Sequence, residues 1–139
     1  MQTKPDVEQM LMQSLKELVL VIPLEKITIK EITDKAQVIR PTFYNHFQDK
    51  YELLEWIIKA QLLDPIEPLV QNGMVNEALT LLFTNIEKEK EFYSRAVRLE
   101  GQNSFGVITQ KCVEELLLKV IRKAETGKKG RYAWLTPER

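Results

Sequence analysis

Between Ile39 and Lys50 the chain concentrates the side chains best suited to meeting a nucleic acid. Arg40, Thr42, Tyr44, Asn45 and His46 are interleaved with Phe43 and Phe47, which stand four apart. On a helix two phenylalanines at that spacing share one face, and that face is expected in the core. The polar side chains then point elsewhere. An arginine can read a guanine edge through paired donors, while threonine, tyrosine and asparagine reach phosphates or base edges. Pro41 has no N–H to donate, but its ring can touch a thymine methyl. Proline is tolerated at the first helical position and pushes the residue before it away from helical geometry. The helix is therefore predicted to begin at Pro41, with Arg40 outside it.

The elements that must position these groups are legible on either side. Thr28 and Glu31 have capping-box spacing, with Ile27 and Ile32 as a hydrophobic staple. Ile29, Ile32 and Ala36 follow helical spacing, and the small Ala36 lets a second helix approach. Gln37-Val38-Ile39 reads as the turn, with Val38 as its buried plug. Asp49 with Glu52 caps the following helix. Thr28 to Lys50 is thus two short helices joined by a tight turn, the layout that places its second helix in the DNA major groove. Lys26, Lys30, Arg40 and Lys50 fall near the rim expected to touch the backbone. Lys50, at a helix start, offers both its charge and the helix N-terminus to a phosphate.

The segment AQVIRPTFYNHFQDKYELL, residues 36–54, resembles the signature of the TetR family of transcriptional regulators. That family runs Ala-Gly-Val-Ser-Arg-Gly-Thr-Phe-Tyr-x-His-Phe-x-x-Lys-x-x-Leu. Ala36, Val38, Arg40, Thr42, Phe43, Tyr44, His46, Phe47, Lys50 and Leu53 match, and the resemblance covers roughly residues 7–62. The short C-terminal part is similar to the dihydroxyacetone kinase operon activators within the family. Three positions depart from the pattern. Gln37 replaces the turn glycine, at a cost of about 1–2 kcal/mol for a left-handed residue. Ile39 replaces a serine cap, and Pro41 replaces a small residue.

The resemblance implies an all-α fold, with a three-helix DNA-binding unit joined through the next helix to a C-terminal helical regulatory unit. Residues 1–63 are expected to be the first unit and residues 64–139 the second. The DNA-binding set is expected to be Thr28, Lys30, Gln37, Arg40, Pro41, Thr42, Tyr44, Asn45, His46 and Lys50. Tyr44 is read as a phosphate contact rather than packing, and His46 as a backbone contact or an orienting residue. The family works as a homodimer, so two recognition helices must meet half-sites about 34–36 Å apart on a near-palindromic operator of double-stranded DNA. Family members continue with two further helices that make the dimer. The sequence reads as a shortened chain, expected to be monomeric or weakly associated by itself.

The remainder reads as helices over 6–22, 50–63, 74–87, 89–99 and from Ser104 onward, with 64–73 as the connection. Trp56, Phe83, Phe92, Tyr93, Leu99 and Phe105 are expected either to line a pocket for a small apolar or aromatic effector or to be plain core. If they are core, control falls to a protein co-regulator. The basic stretch GKKGR at 127–131 reads as a solvated loop rather than a second DNA contact. Thr136-Pro137-Glu138 reads as a helix start.

Twenty Lys and Arg balance twenty Asp and Glu, and residues 1–50 are balanced as well. DNA binding therefore rests on the motif and not on bulk charge. No apolar run reaches the ~20 residues that span a bilayer, and a cytoplasmic protein without cofactor is expected. The single cysteine, Cys112, reads as a small buried residue. A lone histidine with no second ligand at metal spacing excludes a metal site. No nucleophile with a base, phosphate loop or paired carboxylates suggests an enzyme. The competing reading is a TetR-like module that has lost DNA binding and holds a protein partner.

Overall fold

The computed structural model describes residues 6–127. Most of GKKGR and all of Thr136-Pro137-Glu138 lie outside them. The described chain is helical, with no strand among those residues.

Helix α1 (Val7–Val19) starts on Asp6, whose carboxylate accepts from the Glu8 amide at 3.0 Å. It stops three residues short of the expected Ile22. The last predicted turn unwinds over Leu20–Ile22 ahead of Pro23. Leu11 and Leu15 of α1 are fully buried. Ser14, also buried, donates its hydroxyl to the Ile32 carbonyl at 2.8 Å, which draws α2 (Ile29–Ala36) against α1. A short 3₁₀ turn, Leu24–Lys26, leads into α2. Helix α3 (Arg40–His46) follows, then α4 (Lys50–Ile58).

The path after α4 differs from the expected stop at Asp64-Pro65 and the expected connection over 64–73. A π-helical segment, Lys59–Leu63, continues α4 directly into a 3₁₀ turn, Asp64–Ile66, and then α5 (Glu67–Gln71). Only Asn72-Gly73-Met74 is a true break, and Gly73 takes it at φ +73°. The cause is Pro65. It has no N–H for the Gln61 carbonyl, and in an α-helix its ring would strike that carbonyl. The chain widens instead, and the Asp64 amide reaches back to Lys59. The Gln61 carbonyl accepts from Asn85 Nδ2 at 3.4 Å, and its side-chain oxygen accepts from the Tyr93 hydroxyl at 3.0 Å. Leu62, Leu63 and Ile66, in and beside the expected linker, are buried in the same core as Leu11 and Phe43.

Helix α6 (Val75–Lys88) and α7 (Lys90–Ala96) meet at Glu89. Ser104 caps α8 (Phe105–Gly127), accepting from the Val107 amide at 3.1 Å. Ile108, Cys112, Leu116 and Val120 form the buried stripe of α8. A ladder of ion pairs flanks it. Lys59 pairs with Glu115 at 2.7 Å and with Glu55 at 3.1 Å. Lys111 pairs with Glu55 at 3.2 Å, and Lys119 and Lys123 pair with Glu67 at 3.1 and 3.4 Å.

Burial works to raise the Glu55 carboxyl, but bonds from Lys59 and Lys111 outweigh it and hold the group below its ordinary value. At Glu67 burial is likewise outweighed, by Lys119 and Lys123. A carboxylate lowered in the folded chain stabilises it above the unfolded pKa and loses that contribution as pH falls through the folded value. Urea titrations should therefore show stability falling below about pH 4.5. Glu67→Gln should cost about 0.5–1 kcal/mol at neutral pH and shrink the acid loss. An acid loss unchanged by the substitution would place its origin elsewhere.

Candidate DNA-binding site

The site is built on the α2–turn–α3 segment. Thr28 caps α2 with the full reciprocal box: its hydroxyl accepts from the Glu31 amide at 3.1 Å, and Glu31 accepts from the Thr28 amide at 2.9 Å. Ile27 and Ile32 are both buried, as a staple requires. Gln37 ends α2 in the left-handed region at φ 63°, ψ 41°, and its amide and that of Val38 close the helix on Asp34 and Thr33 carbonyls at 3.2 and 3.0 Å. Val38 is half-buried against the core rather than fully enclosed.

Helix α3 begins one residue earlier than expected. Ile39 is the extended cap and Arg40 the first helical residue, with Pro41 second. Arg40 takes this place although a following proline disfavours helical geometry there, and the extended residue is the cap Ile39. Ile39 supplies no side-chain cap and is 67% exposed. Phe43 is fully buried and Phe47 nearly so, with ring centroids 5.8 Å apart. Trp56 packs edge-on to Phe47 at 6.2 Å. The opposite side of α3 carries Arg40, Pro41, Tyr44, Asn45 and His46, all exposed, with Thr42 half-buried.

Two expected backbone ligands are already engaged. His46 Nδ1 lies 3.3 Å from Glu8 Oε2, which ties the end of α3 to the start of α1. Lys50, expected to offer its charge to a phosphate, instead donates to the carbonyls of Glu25 and Ile27 at 2.8 and 2.7 Å. Burial lowers its pKa, against the opposing pull of Glu25, Glu31 and Asp49. Lys30 pairs with Asp34 at 2.7 Å, but both are solvent-exposed, and such pairs hold weakly.

The six expected effector residues do not converge on one cavity. Phe83 is 64% exposed, because α6 turns that face outward. Trp56 belongs to a cleft of about 210 Å³ beside His46 and Glu8. Phe92 borders one of about 380 Å³ between α1 and the α6–α7 corner. Tyr93, Leu99 and Phe92 are buried core, and Tyr93 packs edge-on to Phe92 and Phe105 at 4.9 and 6.4 Å. Burial, helped by Glu89, pushes the Tyr93 hydroxyl pKa up. A third cleft, about 180 Å³, lies by Lys59 and Cys112. Burial pushes the Cys112 thiol up to about 11, which suits a packed residue and not a reactive one.

Sequence reasoning missed Glu8 and the Glu25 and Ile27 carbonyls, which come from distant or backbone groups and leave no local pattern. It also missed Lys16, which is 8% exposed and bonded to Glu89 at 3.2 Å across α1 and the α6–α7 corner. Its place between Met12 and Val19 on the apolar stripe was the available signal. No cluster of metal-ligand side chains occurs among the described residues, and no described helix is long and apolar enough to cross a membrane.

An exposed polar face on a short second helix, set by a tight turn against a capped first helix, defines a helix-turn-helix unit. Residues 22–57 match the family described as "Bacterial regulatory proteins, tetR family". The chain is 30% identical over 128 residues to the HTH-type dhaKLM operon transcriptional activator DhaS of Lactococcus lactis subsp. lactis (strain IL1403). That alignment takes in 91% of this chain and 66% of the relative, so the chain spans just under two thirds of the relative's length. A solved structure, the dihydroxyacetone kinase operon activator DhaS, aligns with TM-score 0.56 at 26% identity, over 86% of this chain and 67% of that one. Residues 22–57 thus carry a helix-turn-helix of the TetR type, and the chain is similar to the dihydroxyacetone kinase operon activators. These are regulators and not enzymes.

Gln37 is the one non-glycine residue with positive φ among the described residues. Gln37→Gly removes the strain of a side chain in the left-handed region, offset in part by the greater freedom of glycine in the unfolded chain. The net should be a gain of roughly 0.5–1 kcal/mol, read as a higher urea midpoint. A loss would mean that the Gln37 side chain holds the turn.

Proposed function

We propose that the chain binds duplex DNA sequence-specifically through α3 and regulates transcription. The observation that carries this is the division of α3 into a buried Phe43/Phe47 face and an exposed Arg40/Tyr44/Asn45 face, on the segment that matches the family. Arg40 is assigned to a base edge. Thr28, Lys30, Gln37, Thr42, Tyr44, Asn45 and His46 are assigned to positioning on phosphates or neighbouring bases, and Pro41 to an apolar contact. Residues 1–63 act as the DNA-binding unit and residues 64–139 as the regulatory unit, in the cytoplasm.

Similarity to a dihydroxyacetone kinase operon activator supports an operon of that kind as the target, and activation as the effect. Pairing into a homodimer on a near-palindromic operator belongs to the same reading. So does control by a small effector or a protein co-regulator acting on the C-terminal helices. The cleft between α1 and the α6–α7 corner is where either would touch both units.

Fluorescence anisotropy against the protein's own upstream region and a random duplex tests this. Tyr44→Phe should weaken binding to both duplexes, because phosphate contacts carry no base information. Arg40→Ala should remove about 1–3 kcal/mol of discrimination and leave non-specific binding largely intact. Equal affinity of the unsubstituted protein for both duplexes would favour the partner-binding module instead.

A further inference from the structure

Helix α8 carries more apolar surface than the described fold covers. Its stripe of Cys112, Leu116, Val120 and Ala124 is buried, on a helix that packs against α4, the π-helical segment and α5. Lys111, Glu115, Lys119 and Lys123 each stand one place before a stripe residue, and all four are in ion pairs with Glu55, Lys59 or Glu67. Val113, Leu117 and Ile121 each stand one place after a stripe residue. Successive residues of a helix are about 100° apart, so these three lie on the opposite flank from the ion pairs. They are spaced four apart and form one row. Val113 and Ile121 are half-buried, and Leu117 between them is 49% exposed. Single exposed leucines are ordinary, whereas a row continuous with a buried stripe marks a surface that packs against something.

The chain supplies an occupant. Residues 128–139 read KKGRYAWLTPER and lie beyond the described residues. Gly127 ends α8, and with Gly130 it brackets two lysines, the composition of a reversal. Tyr132, Ala133, Trp134 and Leu135 follow, an uncharged run with two large aromatic rings. The reach fits the row. An extended residue spans about 3.3 Å and a helical one about 1.5 Å. The five residues after Gly130 can therefore run back over about eleven residues of α8, which is as far as Leu117.

We propose that residues 132–135 fold back along α8 and seat Trp134 and Leu135 on the Val113–Leu117–Ile121 row, closing the open flank of the regulatory unit. GKKGR is then the solvated turn of this strap. An indole suits the seat, because it buries a large apolar area while its N–H can stay at the wet edge. The strap is independent of the DNA-binding reading and is measured without DNA.

The test uses fluorescence of the full chain. Trp56 and Trp134 are its two tryptophans, so W56F leaves Trp134 as the sole indole. Its emission should be blue-shifted, and acrylamide should quench it several-fold less than in the urea-unfolded chain. Adding L117D, a charge placed in the row, should shift the emission to the red and raise quenching close to the unfolded level. Adding L79D should change neither, since Leu79 is a comparably exposed leucine on α6.

Trp134 quenched as freely in the folded as in the unfolded chain would overturn the proposal. Release by L79D and not by L117D would overturn it by placing the segment on α6. Protection lost on strong dilution, in step with dissociation seen by sedimentation, would overturn it by assigning the row to a second copy. If W56F or L117D does not fold, W134S alone decides. Uncovering the row should raise bis-ANS fluorescence several-fold, and unchanged dye binding would overturn the strap.

Discussion

A helix of seven residues has no stability of its own, because nucleation is costly and few hydrogen bonds repay it. Helix α3 exists only because Phe43 and Phe47 are driven into the core formed by α1, α2 and α4. Everything at the surface of α3 follows from that burial. Fixing two phenylalanines four residues apart fixes the rotation of the helix about its axis, and this alone turns Arg40, Tyr44 and Asn45 outward. The supporting contacts then set where the helix lies. Ser14 draws α2 to α1, the Gln37 turn sets the angle between α2 and α3, and the His46–Glu8 contact holds the far end of α3 to the start of α1.

Pro65 imposes the second constraint. A proline in a helical path usually marks a break, and a break would have left the two halves joined by a loop. The π-helical segment avoids the break by widening the helix one residue at a time. Its cost in backbone bonding is offset by Asn85 and Tyr93, which take up both oxygens of Gln61. The same segment meets α8 through Lys59 and Glu115. Helices α4, α6, α7 and α8 thus converge on five residues. Lys16 and Glu89 add a separate tie between α1 and the α6–α7 corner. With one continuous core and no slack linker, a rearrangement of the C-terminal helices cannot leave the helix-turn-helix unit untouched, since close-packed cores transmit displacement.

What was legible from sequence was whatever has a local period or a fixed spacing. The Thr28–Glu31 box, the Asp49 cap and the Phe43/Phe47 pair each join residues only a few places apart in the chain, and all stand as read. The misreadings have physical causes. Arg40 opens α3 against the local preference that a following proline imposes on it, a preference and not a prohibition. Residues 64–73 were read as a connection because Pro65 and Pro68 are breakers in isolation, whereas burial of Leu62, Leu63 and Ile66 favours a helical path. The partners of Lys50 and His46 left no local signal, being a backbone 23 and 25 residues away and a glutamate 38 away. Phe83 was counted with the core aromatics because its spacing on α6 does not distinguish an inner face from an outer one.

The departures at Ile39 and Pro41 acquire a common meaning in the structure. Both lie at the start of α3, and both are exposed. A serine cap and a small residue would present a hydroxyl and a bare backbone there. Ile39 and Pro41 present carbon. In the DNA-binding reading, the N-terminal end of the recognition helix is the part that meets base edges. An apolar surface at that end cannot select a base by hydrogen bonding, but it is favoured beside a thymine methyl and disfavours an amino or carbonyl edge left without a partner. On that reading discrimination would divide along the helix: Arg40 by paired donors on one side, and Ile39 with Pro41 by apolar contact on the other. The absence of a side-chain cap on α3 is the structural cost of that division. It is borne by the buried phenylalanines, which hold the helix whether or not its first turn is capped.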